Sequence, residues 1–150
     1  MGRRGGNKFS SSGPASVNEG GGSSSQSQPA NVDPNAKAAK LFSKLYFETL
    51  DNQREKTVHL YGNDCLLLFN GNRYVGGAAI NEFWTNTFPP SLHTITNHTF
   101  NGTEELGMLI IMHSGNVVCD GKNHMFSQVI NCTKEGDQWK ILADDYRFMS

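Results

Sequence analysis

From Asp33 onward the apolar positions recur in two successive rhythms, first helical and then alternating; before it they hardly recur at all. Asp33 is a good helix N-cap, and Pro34 suits the first helical position, where its missing N–H costs nothing. Ala38, Leu41, Phe42, Leu45 and Thr49 follow at helical spacing and predict one apolar stripe, ended by Asp51-Asn52. A short second helix over 54–61 turns Val58 and Tyr61 inward and stops at Gly62. Residues 65–69 are a β-type apolar run, and Asn70-Gly71 predicts a two-residue hairpin into a return strand over 73–75. After Gly76-Gly77, the spacing of Ala79, Ile80, Phe83, Trp84 and Phe88 predicts a third helix, stopped by Pro89-Pro90.

Everything beyond Leu92 reads as strand. The expected segments are 93–100, 106–113, 117–119, 125–132 and 138–148, with turns at Asn101-Gly102, Ser114-Gly115, Asp120-Gly121 and Gly136-Asp137. Helices first and a long meander afterwards predict an α+β domain with helices packed on one side of an antiparallel sheet. The last strand is the most informative. Strict alternation puts Trp139, Ile141, Ala143, Asp145 and Arg147 on one face, and Lys140, Leu142, Asp144, Tyr146 and Phe148 on the other. Each set mixes large apolar groups with charge, so neither is a plain core face or a plain solvent face. Met108-Leu109-Ile110-Ile111-Met112 is apolar on both faces as well. Helices cover one side of such a sheet, so a second apolar side points to another chain, and an arginine on it wants a carboxylate.

Composition narrows the partners. Gly and Ser fill 15 of residues 1–32, which predicts a disordered leader ahead of a folded domain over 33–150. The leader carries Arg3, Arg4 and Lys8 against Glu19; the remainder holds 10 basic and 13 acidic residues, a net −3. A domain with that balance is a poor match for a phosphate backbone, so RNA enters at most indirectly. Cys65, Cys119 and Cys132 sit in apolar runs with no CxxC, which predicts packed, reduced thiols. Residues 1–32 contain no apolar signal-like stretch, and no segment is long enough to span a membrane. Three glycosylation sequons, at Asn97, Asn101 and Asn131, are read as chance matches.

The chemistry that could be present is limited. Asp144, Asp145, His93, His98, His113, Tyr46 and Tyr61 are the acid–base candidates. His93 and His98 are five apart on one expected strand and should face opposite ways; Asp144 and Asp145 are adjacent and should also diverge. No Cys/His spacing suits zinc, no Gly-rich loop opens a helix, and no Gly-x-Ser-x-Gly occurs. Trp84 reads as core, whereas Trp139 could serve core or interface. Arg147 could meet a partner's carboxylate, snorkel at the domain rim, or pair with Glu104 or with Asp145 of a second copy.

Four stretches, in order, carry a resemblance over about residues 36–148. They are Tyr46-Phe47-Glu48-Thr49-Leu50-Asp51; Phe69-Asn70-Gly71-Asn72 with Ile80-x-x-Phe83; Asp120-Gly121-Lys122 with Phe126-x-Gln128; and Trp139–Phe148. The chain resembles the nuclear transport factor 2-like superfamily, and within it the small subunits of the heterodimeric nuclear mRNA export receptor. The resemblance implies a cone: a strongly bent sheet wrapped around about three helices. It implies a protein that is not an enzyme, without cofactor or metal, shuttling between nucleus and cytoplasm at the nuclear pore. The implied partner is the matching domain of the large export receptor, and the complex would engage FG-repeat nucleoporins. The interface implied comprises Arg147 with Tyr146, Phe148 and Asp145, joined by Met108, Ile110, Met112, Phe126 and Gln128, and burying on the order of 1,500–2,000 Å². A homodimer carrying a small GTPase and a cavity enzyme of isomerase or dehydratase type remain alternatives, because one fold hosts many functions.

Overall fold

The computed structural model describes residues 33–103 and 105–149. The Gly/Ser leader expected over residues 1–32 and the possible Arg147 partner at residue 104 lie outside them. Helix α1 (Pro34–Asn52) leads into a 3₁₀ helix (Arg54–Leu60), strands β1 (Tyr61–Phe69) and β2 (Asn72–Val75), and helix α2 (Gly77–Glu82). A π-helical turn (Phe83–Thr87) extends α2. Then come β3 (Ser91–Thr103), β4 (Met108–Cys119), β5 (Lys122–Glu135) and β6 (Gln138–Phe148). The strands form one sheet in the order β2-β1-β6-β5-β4-β3, curled but not closed, so the fold is the expected α+β cone. One feature departs from the expected antiparallel meander: β6 returns to lie parallel to β1, and the sheet is mixed.

Two hairpins follow their turn chemistry. Asn70 and Gly71 have φ of 49° and 85°, and Asp120 and Gly121 have φ of 53° and 73°. Asn and Asp tolerate that left-handed region and Gly enters it freely, which is why these dipeptides close two-residue turns. Ser114-Gly115 and Asn101-Gly102 are not turns. Both lie inside strands, and the β3–β4 reversal falls at 105–107. Gly115 sits opposite a bulge in β3 between Ile95 and Asn97, where a Cβ would stand 2.0 Å from the Thr94 carbonyl oxygen. This glycine marks a close approach of two backbones.

The helices are rotated from their predicted faces. α1 buries Ala39, Phe42, Ser43, Tyr46, Phe47, Thr49 and Leu50, while Leu41 and Leu45 are exposed. The cone's polar lining selects Ser43 and Tyr46 for the inside, which hydropathy spacing alone scores against. The second helix is 3₁₀, with three residues per turn, so Thr57 and Leu60 point inward and Val58 does not. Inside, the Tyr146 ring stacks on Phe126 and Phe69 at centroid distances of 5.1 and 5.2 Å, and Trp84 is fully buried as expected. Arg54 ties the wall to α1: its guanidinium donates to the Leu50, Trp84, Phe88 and Pro89 carbonyls and to Ser91 Oγ.

Gly115→Ala should cost about 3 kcal/mol or more of stability, because the obstructing atom is backbone and the strands must separate. Gly71→Ala, at positive φ in open space, should cost only about 1 kcal/mol. Urea unfolding of the two variants checks the ranking; equal losses would contradict this packing.

Candidate functional site

The last strand carries one residue more than its neighbour. Asn131 pairs with Ala143 and Cys132 with Ile141, so Leu142 is bulged out of register. A bulge reverses the alternation beyond it. Ile141, Asp144 and Tyr146 are therefore all buried toward the helices, while Asp145 and Arg147 point away from them. The faces expected from strict alternation are corrected accordingly: Trp139 and Ile141 join Asp144, Tyr146 and Phe148 on the inner side.

The sequence-predicted interface set splits in two. Met108, Ile110 and Met112 lie on the outer face of β4, opposite in parity to buried Leu109, Ile111 and His113. Arg147 and Asp145 lie on the outer face of β6. Through the register, Thr99, Met112, Val129, Asp145 and Leu68 form one row across five strands, and Ser127 stands beside Arg147. Phe126, Gln128 and Tyr146 belong to the interior: each is at most 1% exposed, so a partner on the outer face cannot touch them. Phe148 is half-buried at the cone mouth, stacked on His124 at 4.2 Å. Val118, Met125, Val129 and Leu92 extend the outer face and were missed by sequence reasoning. Counting in steps of two from the Asp120-Gly121 turn would have found Met125 and Val129.

Charge on this face is spare. Arg147 Nε lies 3.3 Å from Asp145 Oδ1, with the two side chains 55% and 41% exposed. A pair so open to water contributes at most about 1 kcal/mol, leaving both groups able to exchange partners. Among the described residues, no helix covers these outer positions.

The inner face holds the acid–base candidates other than Asp145, joined by hydrogen bonds. Asp144 Oδ2 accepts from the Tyr46 and Tyr61 hydroxyls at 2.9 and 2.7 Å, and Oδ1 accepts from Gln128 Nε2 at 2.8 Å. Trp84 Nε1 donates to the Tyr61 oxygen at 3.1 Å. Burial outweighs these donors and pushes the Asp144 carboxyl up to about 6. Burial beside the carboxylate raises both tyrosine hydroxyls well above their ordinary value. The β3 bulge turns His93 and His98 to the same side, against the expectation that they diverge. His93 bridges Asp51 Oδ1 at 2.6 Å and the Tyr146 hydroxyl at 2.7 Å. His98 and His113 each direct Nε2 at Ser43 Oγ, at 3.1 and 2.7 Å, and burial pushes His113 down to about 4. Both carboxylate oxygens of Asp144 thus accept hydrogen bonds from the protein, three in all. Among the described residues, no group of three or more metal-ligating side chains occurs.

A bent sheet around three helices, with this strand order, is matched by the family model for the nuclear transport factor 2 (NTF2) domain over residues 38–148. The chain belongs to the NTF2 domain family. A human relative, NTF2-related export protein 2, is 32% identical over 127 residues, covering 78% of this chain and 89% of that one. The structure of nuclear transport factor 2 from Cryptosporidium parvum superposes with a TM-score of 0.70 at 25% identity, over 79% of this chain and 98% of that one. The C. albicans Mtr2-Mex67 M domain complex shares the fold with a TM-score of 0.65 at 14% identity, covering 78% and 97%. In this NTF2 domain the outward face of β4, β5 and β6 is the candidate site.

The two buried titrations oppose each other. His113, lowered from 6.5 to about 4, contributes stability that is present above pH 6.5 and lost as pH falls toward 4. Asp144, raised from 3.8 to about 6, contributes stability that is present below 3.8 and lost as pH rises through 6. Between pH 4 and 6 they offset, so Asp144→Asn should leave the histidine term bare. Its loss of stability from pH 7 to pH 4.5 should exceed that of the parent by about 1–3 kcal/mol. Urea midpoints at the two pH values measure this, and a smaller loss in the variant would contradict the assignment.

Proposed function

We propose that this protein is the small, non-enzymatic subunit of a heterodimeric mRNA export receptor, held to the matching domain of a larger chain by its outer sheet face. The observation that carries the reading is the outward row of Met108, Ile110, Met112 and Val129 beside Arg147, an apolar surface with an available cation. Apolar surface of this extent, on a sheet whose other side is filled, is what a partner-covered face requires. The kinship with NTF2-related export protein 2 supports nuclear transport as the setting. The NTF2-like chain of the Mtr2-Mex67 complex offers a precedent of fold. On this reading the pair shuttles between nucleus and cytoplasm. Its contact with FG-repeat nucleoporins at the pore belongs to the assembled complex, with cargo RNA held mainly by the larger chain. Burial of Arg147 against a partner carboxylate would exchange the exposed Asp145 contact for a desolvated pair.

A second reading rests on one observation. Asp145 and Arg147 share the outer face, so two copies could exchange them reciprocally across a two-fold axis. That would make a homodimeric transport factor for a small GTPase. A cavity enzyme is disfavoured by the three protein donors that already hold Asp144.

A tagged pull-down from nuclear-competent eukaryotic extract, with mass-spectrometric identification, separates these. A near-equimolar larger chain with its own NTF2 domain is the expected result; recovery of the chain only with itself would contradict it. With the partner in hand, Arg147→Ala should weaken binding by about 2–5 kcal/mol. An unchanged affinity would remove Arg147 from the interface.

A further inference from the structure

The outer sheet face does not end at β6. β1 lies parallel to β6, with Leu66 beside Ala143 and Leu68 beside Asp145. β2 continues the same rows, with Val75 opposite Leu66 and Arg73 opposite Leu68. Side chains paired across strands share a face, so Arg73 and Val75 stand outside with Asp145 and Arg147. The opposite parity agrees: Leu67 and Phe69 are buried, and Tyr74 turns inward to pack on Phe83 at 4.6 Å. Val75 is 62% exposed, and Leu66 and Leu68 are only half-buried, so the apolar surface of β4 and β5 runs on to the β2 edge.

Arg73 is the unexplained member of this surface. It is exposed, and among the described residues it makes no hydrogen bond or ion pair. The register fixes its place: two strands from Asp145 in the same row, so about 10 Å away, and about 12 Å from Arg147 at the backbone. The three successive rows through Ala143, Asp145 and Arg147 hold no other charged residue. Asp64, the next acid on β1, lies four residues from Leu68, about 13 Å along the strand and beyond a Debye length. This part of the face therefore offers two cations against one anion.

That count decides between occupants. Two copies packed face to face about a two-fold axis would each bring two arginines and one aspartate. Whichever arginine meets Asp145 of the other copy, the second is buried without a carboxylate, which opposes self-pairing. A chain with acidic groups at both places has no such conflict. We propose that Arg73 is a second anchor of the sheet face: its occupant is a different chain with two carboxylates about 12 Å apart, one for each arginine, and Arg73 keeps a second copy of this chain out. The inference rests on the covering of the outer sheet face proposed above and extends that contact over β1 and β2.

The test uses the full chain for self-association and the purified heterodimer for partner binding. Sedimentation equilibrium should find the parent monomeric at micromolar concentration. Arg73→Ala should self-associate about tenfold more tightly at low salt, a difference that shrinks as salt screens the parent. In the heterodimer, Arg73→Ala should weaken partner binding about tenfold and Arg73→Glu more, both chiefly at low salt. Arg73 has no partner among the described residues, so the urea midpoints of both variants should match that of the parent. Unchanged partner affinity in both Arg73 variants, with Arg147→Ala still weakening it, would overturn this anchor and leave the sheet-face reading standing. Unchanged affinity in the Arg73 and Arg147 variants alike would overturn both. A parent chain recovered only as its own dimer, as tight as that of Arg73→Ala, would overturn the exclusion of a second copy.

Discussion

One buried carboxylate decides which way the last strand presents its side chains. Asp144 is held inside the cone by Tyr46 from α1, Tyr61 from β1 and Gln128 from β5, so a single residue joins three elements to β6. A charge-bearing group in an apolar interior is tolerated only when its oxygens are satisfied, and here both are. Because Asp144 must point inward, Asp145 and Arg147 must point outward, and the Leu142 bulge is the local adjustment that lets Ile141 remain in the core. The outer face of β6 is therefore set from within.

The same logic organises the sheet. Helices and the Arg54 clamp fill the concave side; the convex side keeps Met108, Met112, Val118 and Met125 in contact with water. The interior joins a large apolar core to a hydrogen-bonded network around Asp144, Gln128 and His113, and further apolar groups are left outside on the sheet. Large apolar groups exposed on a sheet whose other side is already filled are what the proposed covering chain would bury.

Much of this was legible in the sequence. Asn70-Gly71 and Asp120-Gly121 located two hairpins, because their left-handed backbone needs those residue types. The doubly apolar run over 108–112 signalled a strand with apolar side chains on both faces, and Leu109 and Ile111 are buried while Met108 and Met112 stand outside. What failed did so for definable reasons. Bulges in β3 and β6 are invisible to a period-two reading, so His93 and His98 were expected to diverge and Trp139 and Ile141 were placed with Arg147. Phe126, Gln128 and Tyr146 came to the interface from the resemblance, whereas burial puts them inside. The α1 stripe was misplaced because Ser43 and Tyr46 score as polar yet are chosen by Asp144 and the histidines inside. Leu41 and Leu45, read as core, are exposed instead.

The central claim is that the outer face of β4, β5 and β6 is covered by another chain in the working assembly. Methionine footprinting with hydrogen peroxide on the purified assembly, compared with the chain alone, tests it at the residues concerned. Met112 and Met125 should oxidise readily in the isolated chain, where they are exposed, and should be strongly protected in the assembly. Equal oxidation of both methionines in the two samples would contradict the account.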